Sequence, residues 1–307
     1  MTLGIPSCDG ARMHQAFSQA MPDAMQGITP PPAPLDTDGL HAALRMEWGT
    51  GHEPNGIQAL LENADAIPCM AAYRGLQMRV YQRGMHTLDP ASLPSAVLEG
   101  VAFHSLPLLG SSPDAEIQFH DASDSVLESG LDRSSLRGLD PRRLGPVHGG
   151  VVKRMAVEVK APCPFYPMLS TGGAGKGRQW YVFRPRNAVT SLSPTYFVQC
   201  QAHMLVLGVD TCVFVSHGAE RANVFEVPLD VGWCNMMLRQ LQQVGSAYLA
   251  PGLLPPGDFG DALGGRAQFL GRTVSLCQGC KVDARLEGVR GPDGLRFHDH
   301  DASPASS

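Results

Sequence analysis

Three side chains in the middle of the chain have the types and spacing for hydrolysis of a phosphate ester. The segment SSPDAEI sets Asp114 after a proline at the mouth of a short strand. The segment AVEVKAP sets Glu158 and Lys160 two residues apart on another strand. Strand alternation sends Glu158 and Lys160 to one face and Val157 and Val159 to the opposite, buried one. A charged pair flanked by valines is expensive on a core-like strand unless something compensates it. A divalent cation would do so. Hard carboxylate oxygens suit Mg2+, which keeps several waters and takes one or two carboxylates together with substrate phosphate. Such an ion polarises a phosphoryl oxygen, lowers the pKa of a bound water and neutralises the leaving oxygen. Lys160 is expected to stay an ammonium, because neighbouring carboxylates favour its charged form. The plain alternative is a cross-face ExK pair on an edge strand, with Asp114 as a turn residue.

Two flanking segments add to the constellation. Upstream, RMEWGTGHEPNGIQALLE puts Glu53 on or beside a helix, four residues after Gly49. Downstream, PTYFVQCQAHM puts Gln199 on the polar side of a helix, with His203 one turn further along the same face.

In this order the four pieces resemble the PD-(D/E)xK nuclease superfamily and, within it, the YqaJ-type viral recombinase family related to phage lambda exonuclease. The family's WG-xxx-E helix reads here as Trp48-Gly49 with Glu53, and its SPD turn as Ser112-Pro113-Asp114. Its E-x-K-x-P strand reads as Glu158-Val159-Lys160 with Pro162, and its Y-xx-Q-x-Q-xx-M helix as Tyr196, Gln199, Gln201 and Met204. The match spans Arg45 to Met204. The resemblance implies a restriction-endonuclease-like α/β core, a central mixed β-sheet flanked by α-helices. It also implies Mg2+-dependent hydrolysis of DNA, with Mn2+ able to substitute, by an exonuclease of recombination, repair or viral replication. Carried over, Asp114 and Glu158 are metal ligands, joined by the carbonyl of Val159. Lys160 is the catalytic lysine, Glu53 an acid of the metal site or its water shell, and Gln199 a residue that positions substrate or water, ahead of Gln201. The family's N-terminal serine and arginine elements, which grip a terminal phosphate, have no identifiable counterpart, so cleavage polarity stays open.

These residues need elements to hold them. Residues 1–40, with the PPPAP run, read as a loop-rich arm. Residues 41–250 read as the nuclease domain, with insertions at 121–150 and 163–193, and 251–307 as a Gly/Pro-rich, partly disordered tail. From His41 the pattern predicts helix–turn–helix broken at Gly49, Gly51 and Pro54. Strands are predicted over Gln77–Gln82, Ala96–Phe103, Ala115–Phe119, Met155–Val159, Gln179–Phe183, Thr211–Val215 and Val224–Val227. Tyr196–Leu207 is a predicted helix stopped by Gly208, and Trp233, Met237, Leu241, Val244 and Tyr248 trace an amphipathic one. The alternation of helices and strands predicts one α/β domain.

A chain of 307 residues, 43% of them hydrophobic, can bury a sizeable core. Its net charge of −5 argues against a nucleic-acid partner, but the distribution is uneven. Between Leu131 and Arg186 the only acids are Asp132, Asp140 and Glu158, against a majority of basic residues. Within that stretch Lys176, Arg178, Trp180, Tyr181, Arg184 and Arg186 interleave charge with aromatic rings, which suits backbone neutralisation and base stacking on DNA. A surface hairpin with ordinary core aromatics would read the same. No apolar run of about 18 residues and no signal sequence is present, so an intracellular protein, cytoplasmic or nuclear and without a membrane partner, is expected. Homo-oligomerisation stays open. The eight cysteines are scattered, which fits a reducing compartment. Only Cys277 and Cys280 form a CxxC; with His298 and His300 they suggest a zinc site of unusual spacing. Two rival readings follow: a catalytically inactive DNA-binding descendant of the fold, and a zinc-stabilised interaction protein.

Overall fold

Apolar positions on both parities of the central strands require a sheet covered on both faces. Met155, Val157, Val159, Val213 and Val215 pack into one core, and Ala156, Cys212 and Phe214 into a second on the other side. The computed structural model describes residues 37–121, 150–169, 179–218, 221–255 and 265–287. In chain order they form α1 (Thr37–Glu62), α2 (Pro68–Ala71), β1 (Gln77–Tyr81), β2 (His86–Thr87), β3 (Gly110–Ser111), β4 (Ala115–His120), β5 (Val151–Lys160), β6 (Phe165–Leu169) and β7 (Gln179–Phe183). Then follow α3 (Pro194–Leu207), β8 (Thr211–His217), β9 (Arg221–Pro228), α4 (Val231–Val244), α5 (Arg266–Gly279) and β10 (Val282–Glu287).

The main sheet has the order β1-β4-β5-β8-β9-β10. Only β5 and β8 are parallel; the other neighbours are antiparallel. It is therefore a mixed sheet flanked by helices, in the α/β class. Residues of α1 and α2, including Leu60 and Met70, bury in one core, and those of α3, α4 and α5 in the other. Two hairpin-like ladders, β2–β3 and β6–β7, stand apart from the sheet.

Helix α1 is continuous through Gly49, Gly51 and Pro54, so the expected break does not occur. Proline in a helix interior costs roughly 3 kcal/mol by itself. Packing supplies the compensation: Ala59 and Leu60 are buried, and Gly56 lies so close to β5 that a Cβ there would come within 2.4 Å of Val159 Cγ1. That contact seats the helix on the strand carrying Glu158 and Lys160.

Two further corrections concern segments where local pattern misleads. Ala96–Phe103 is not a strand; it contains 3-10 turns at Ser95–Val97 and Phe103–Ser105. Its backbone groups are met by side chains of α4 instead of a ladder. Asn235 donates to the carbonyls of Val97 (2.9 Å) and Glu99 (2.8 Å), and Gln242 accepts from Ala102 N–H (3.1 Å). The expected tail holds an ordered helix and strand over 266–287. Phe269 stacks on Trp233 at 5.0 Å, Thr273 accepts from the Trp233 indole (2.7 Å), and β10 closes the sheet against β9. These are long-range contacts that a Gly/Pro-rich segment does not advertise. Among the described residues no helix is long and apolar enough to cross a membrane.

Candidate functional site

The ends of β4 and β5 bring the predicted residues together. Ala115 pairs with Val157, so Asp114 lies at the end of that ladder beside Glu158. Its backbone N–H donates to Val157 O (3.1 Å) and its Oδ2 accepts from Val159 N–H (2.6 Å). The Asp114 carboxylate is thus fastened to the residues on either side of Glu158. Glu158 is 1% exposed and faces α3; its Oε1 is ion-paired with Lys160 Nζ. Its Oε2 lies 2.8 Å from His203 Nε2.

Helix α3 delivers that histidine. Ser193 caps its N-terminus by accepting from Tyr196 N–H (3.3 Å), Pro194 occupies the first turn, and Gly208, at φ 62°, ends it in the left-handed conformation. Tyr196, Gln199 and His203 recur at helical spacing on one stripe. His203 Nδ1 lies 2.7 Å from Ser111 Oγ in β3. An ionised carboxylate only accepts, so His203 Nε2 donates to Glu158, and in the neutral ring Nδ1 accepts from the Ser111 hydroxyl. Ser111–His203–Glu158 is a connected, buried chain that fixes the Glu158 rotamer. His203 shares the Gln199 face, as the helical spacing predicts. Gln199 is half-buried one turn earlier, and the contact to Glu158 belongs to His203. Gln201 turns away: its amide donates to Pro228 O (2.8 Å) and accepts from Asp230 N–H (2.9 Å), tying α3 to the start of α4.

Glu53 approaches from α1. It lines a cavity of about 660 Å3 with Arg45, Lys160, Pro162, Arg186 and Tyr196. Its neighbour His52 stacks on Trp48 at 3.8 Å and puts Nδ1 2.8 Å from Trp48 O, so it braces the helix. The β6–β7 hairpin flanks this opening: Phe165 meets Trp48 edge-on at 5.5 Å, and Arg184 and Arg186 lie 5.7 and 5.4 Å from the Tyr166 ring centroid. Both arginines are exposed, and Trp180 pairs with Met168 in the hairpin. Lys176 and Arg178 lie outside the described residues, as do His298 and His300.

Charge within the cluster is unbalanced. Burial, then the Glu158 charge, with Glu53 adding to them, push the Asp114 carboxyl up to about 7 despite the Val159 N–H and Lys160. Burial also opposes ionisation of Glu158, but His203 and Lys160 outweigh it and hold that carboxyl below its ordinary value. Burial pulls Lys160 down, yet Glu158, Asp114 and Tyr196 together raise it above the usual lysine value, so it is an ammonium. Two buried acids therefore share Lys160, while Arg45 and Arg186 line the cavity beyond it with Glu53. Oxygen donors in such a setting suit a hard divalent cation, and Asp114 and Glu158 are the two carboxylates that could hold one.

Among the described residues Glu53, Asp114 and Glu158 are not gathered into one compact ligand set. Among the described residues the only group of three close metal-ligating atoms is Cys69, Glu226 and Asp283, within 4.8 Å of one another at the β9–β10 edge. The Cys69 thiol there is pushed up to about 12 by burial and then by the two acids. Cys277 is buried in the core beside Trp233, and burial raises it and Cys280 to about 12 and 11, so both behave as small hydrophobes. Comparison with protein-family models, with curated proteins and with solved structures finds no match.

Proposed function

We propose that this chain is a Mg2+-dependent deoxyribonuclease with a restriction-endonuclease-like core, acting as an exonuclease. The observation that carries the reading is the charge deficit at the paired ends of β4 and β5. Asp114 is fastened across Glu158 by the Val159 N–H, and Lys160 is the cation paired with Glu158 beside it. Asp114 and Glu158, with the Val159 carbonyl as a further oxygen, would hold a cation that would supply Lewis-acid activation of a phosphodiester and of water.

The chain's own groups do the rest. Asp114 must give up its proton before it can act as a ligand. His203, braced by Ser111, keeps Glu158 in one orientation, the second layer of support that ligating carboxylates need. Lys160 offers an ammonium to the non-bridging oxygens of the scissile phosphate and stabilises negative charge developing there. Glu53, near enough to act on the Asp114 charge, would orient a water. Arg45 and Arg186 line the same cavity and suit the flanking phosphates, and Tyr196, stacked on Phe214 at 5.1 Å, gives a base a flat surface.

The test is digestion of end-labelled linear and covalently closed circular DNA in Mg2+. Loss of linear DNA with intact circles, abolished in Asp114→Asn and strongly slowed in Lys160→Met, is expected. No cleavage of either substrate in Mg2+ or Mn2+ would refute the nuclease; cleavage of the circle would make it an endonuclease.

A further inference from the structure

We propose that the arginine-bearing face of β1, β4 and β5 is the track along which a nucleic-acid backbone runs to Asp114 and Glu158. The proposal rests on the nuclease reading and extends it to a surface outside the cavity described above.

Alternation defines the face. Met78, Val80, Ile117, Phe119 and Met155 all turn into the core shared with α1 and α2. The opposite parity presents Gln77, Arg79 and Tyr81 from β1, Glu116 and Gln118 from β4, and Arg154 from β5. Cross-strand pairs set them side by side, with Tyr81 opposite Glu116, Arg79 opposite Gln118, and Gln118 opposite Arg154. Asp114 and Glu158 continue the same parity on β4 and β5, so the acidic centre terminates this face. Arg154 lies four residues before Glu158, roughly 13 Å along the strand.

The charge on the face exceeds what the fold requires. Glu116 is 0% exposed and has both oxygens engaged: Oε2 accepts from Arg83 Nε and Oε1 from Arg154 Nε, each at 2.6 Å, with Gln118 Nε2 adding a third bond at 2.7 Å. One counter-charge would neutralise that carboxylate, and two are present. Arg79 adds another, and its side-chain contact is the neutral amide of Gln77 at 3.4 Å. Arg83 and Arg154 remain 32% and 38% accessible, and a guanidinium bonded through Nε still has its terminal N–H groups to offer. Arg83 also lies 5.0 Å from the Tyr81 ring centroid, within cation–π range. Three arginines to one spent carboxylate, interspersed with amides and a tyrosine, form a planar-donor surface with surplus positive charge. Phosphodiester oxygens are the ligands that match it.

The measurement is anisotropy of a labelled single-stranded oligonucleotide in EDTA, titrated with the full chain over a range of salt. Arg79→Gln/Arg83→Gln leaves Arg154 and Gln118 on Glu116, and its urea midpoint reports whether the fold survives. Arg79→Gln alone, which breaks no ion pair among the described residues, serves as the milder variant. The double variant is expected to bind roughly tenfold more weakly at low salt. Its slope of log affinity against log salt should be shallower by about 1.4, the value for two lost single-strand phosphate contacts. Cleavage of bis(p-nitrophenyl) phosphate, too small to reach the arginines, should be unchanged. A wild type that binds and cleaves DNA, with both variants matching it in affinity and slope, overturns the track alone. A wild type that neither binds nor cleaves overturns the track and the nuclease reading together.

Discussion

Replacing Asp114 by Asn should abolish cleavage and at the same time stabilise the metal-free protein. An Asn oxygen can still accept the 2.6 Å bond from Val159 N–H, so the substitution removes charge with little change of shape. The carboxyl it replaces is displaced from its ordinary 3.8 up to about 7 by burial and then by Glu158. Forcing it to ionise above that pH costs roughly 4 kcal/mol, a large fraction of a typical domain's 5–15 kcal/mol. The sign follows from which state holds the proton. Between pH 4 and 7 the folded chain keeps a proton that the unfolded chain has released. Wild-type stability from this group is therefore complete below about pH 4 and is lost as pH rises to 7. Urea unfolding in EDTA, followed by circular dichroism, should give the same midpoint for both proteins near pH 4. The Asn variant should pull ahead progressively and lead by about 2–4 kcal/mol at pH 8, with an unchanged m-value. A variant less stable than wild type at pH 8 would refute the reasoning, because it would make Asp114 a structural cap whose charge the fold wants.

Other consequences are equally direct. His203→Ala leaves buried Glu158 one donor short and should cost about 1–3 kcal/mol in the same assay, with a 10–100-fold loss of Mg2+ affinity by calorimetry; His203→Gln should recover part of both. Gly56→Ala drives a methyl into Val159 Cγ1 and should destabilise by about 1–3 kcal/mol. Val159→Ala in the same chain should relieve it, and cleavage should track the recovery because α1 carries Glu53. Lys160→Met should lower single-turnover cleavage by about 10²–10³-fold while Mg2+ still binds, since removing the ammonium deepens the charge deficit.

Much of the centre was legible in sequence because its residues obey short-range rules. Proline before Asp114, period-two alternation around Glu158, and Ser193 with Gly208 around α3 each announce a local geometry. What was not legible depends on distance in the chain. Asn235, more than 130 residues away, decides that the stretch after Ser95 forms turns. Trp233 and β9 give residues 266–287 a place in the fold. Packing of Gly56 on Val159 overrides the helix-breaking content of Gly49, Gly51 and Pro54. His203 was within reach, as a histidine on the site-facing stripe of a helix whose other members were already suspected. The arginine face was not, because Arg79, Arg83 and Arg154 become neighbours only once β1, β4 and β5 are in register.

The central claim is that Asp114 and Glu158 together hold one divalent cation. Mn2+ titrated into the chain at pH 8 and followed by electron paramagnetic resonance reports it directly. One ion per chain is predicted for wild type, with binding lost in Asp114→Asn and in Glu158→Gln but retained in Cys69→Ser. Undiminished binding in both carboxylate variants, or binding abolished by Cys69→Ser, would contradict the account.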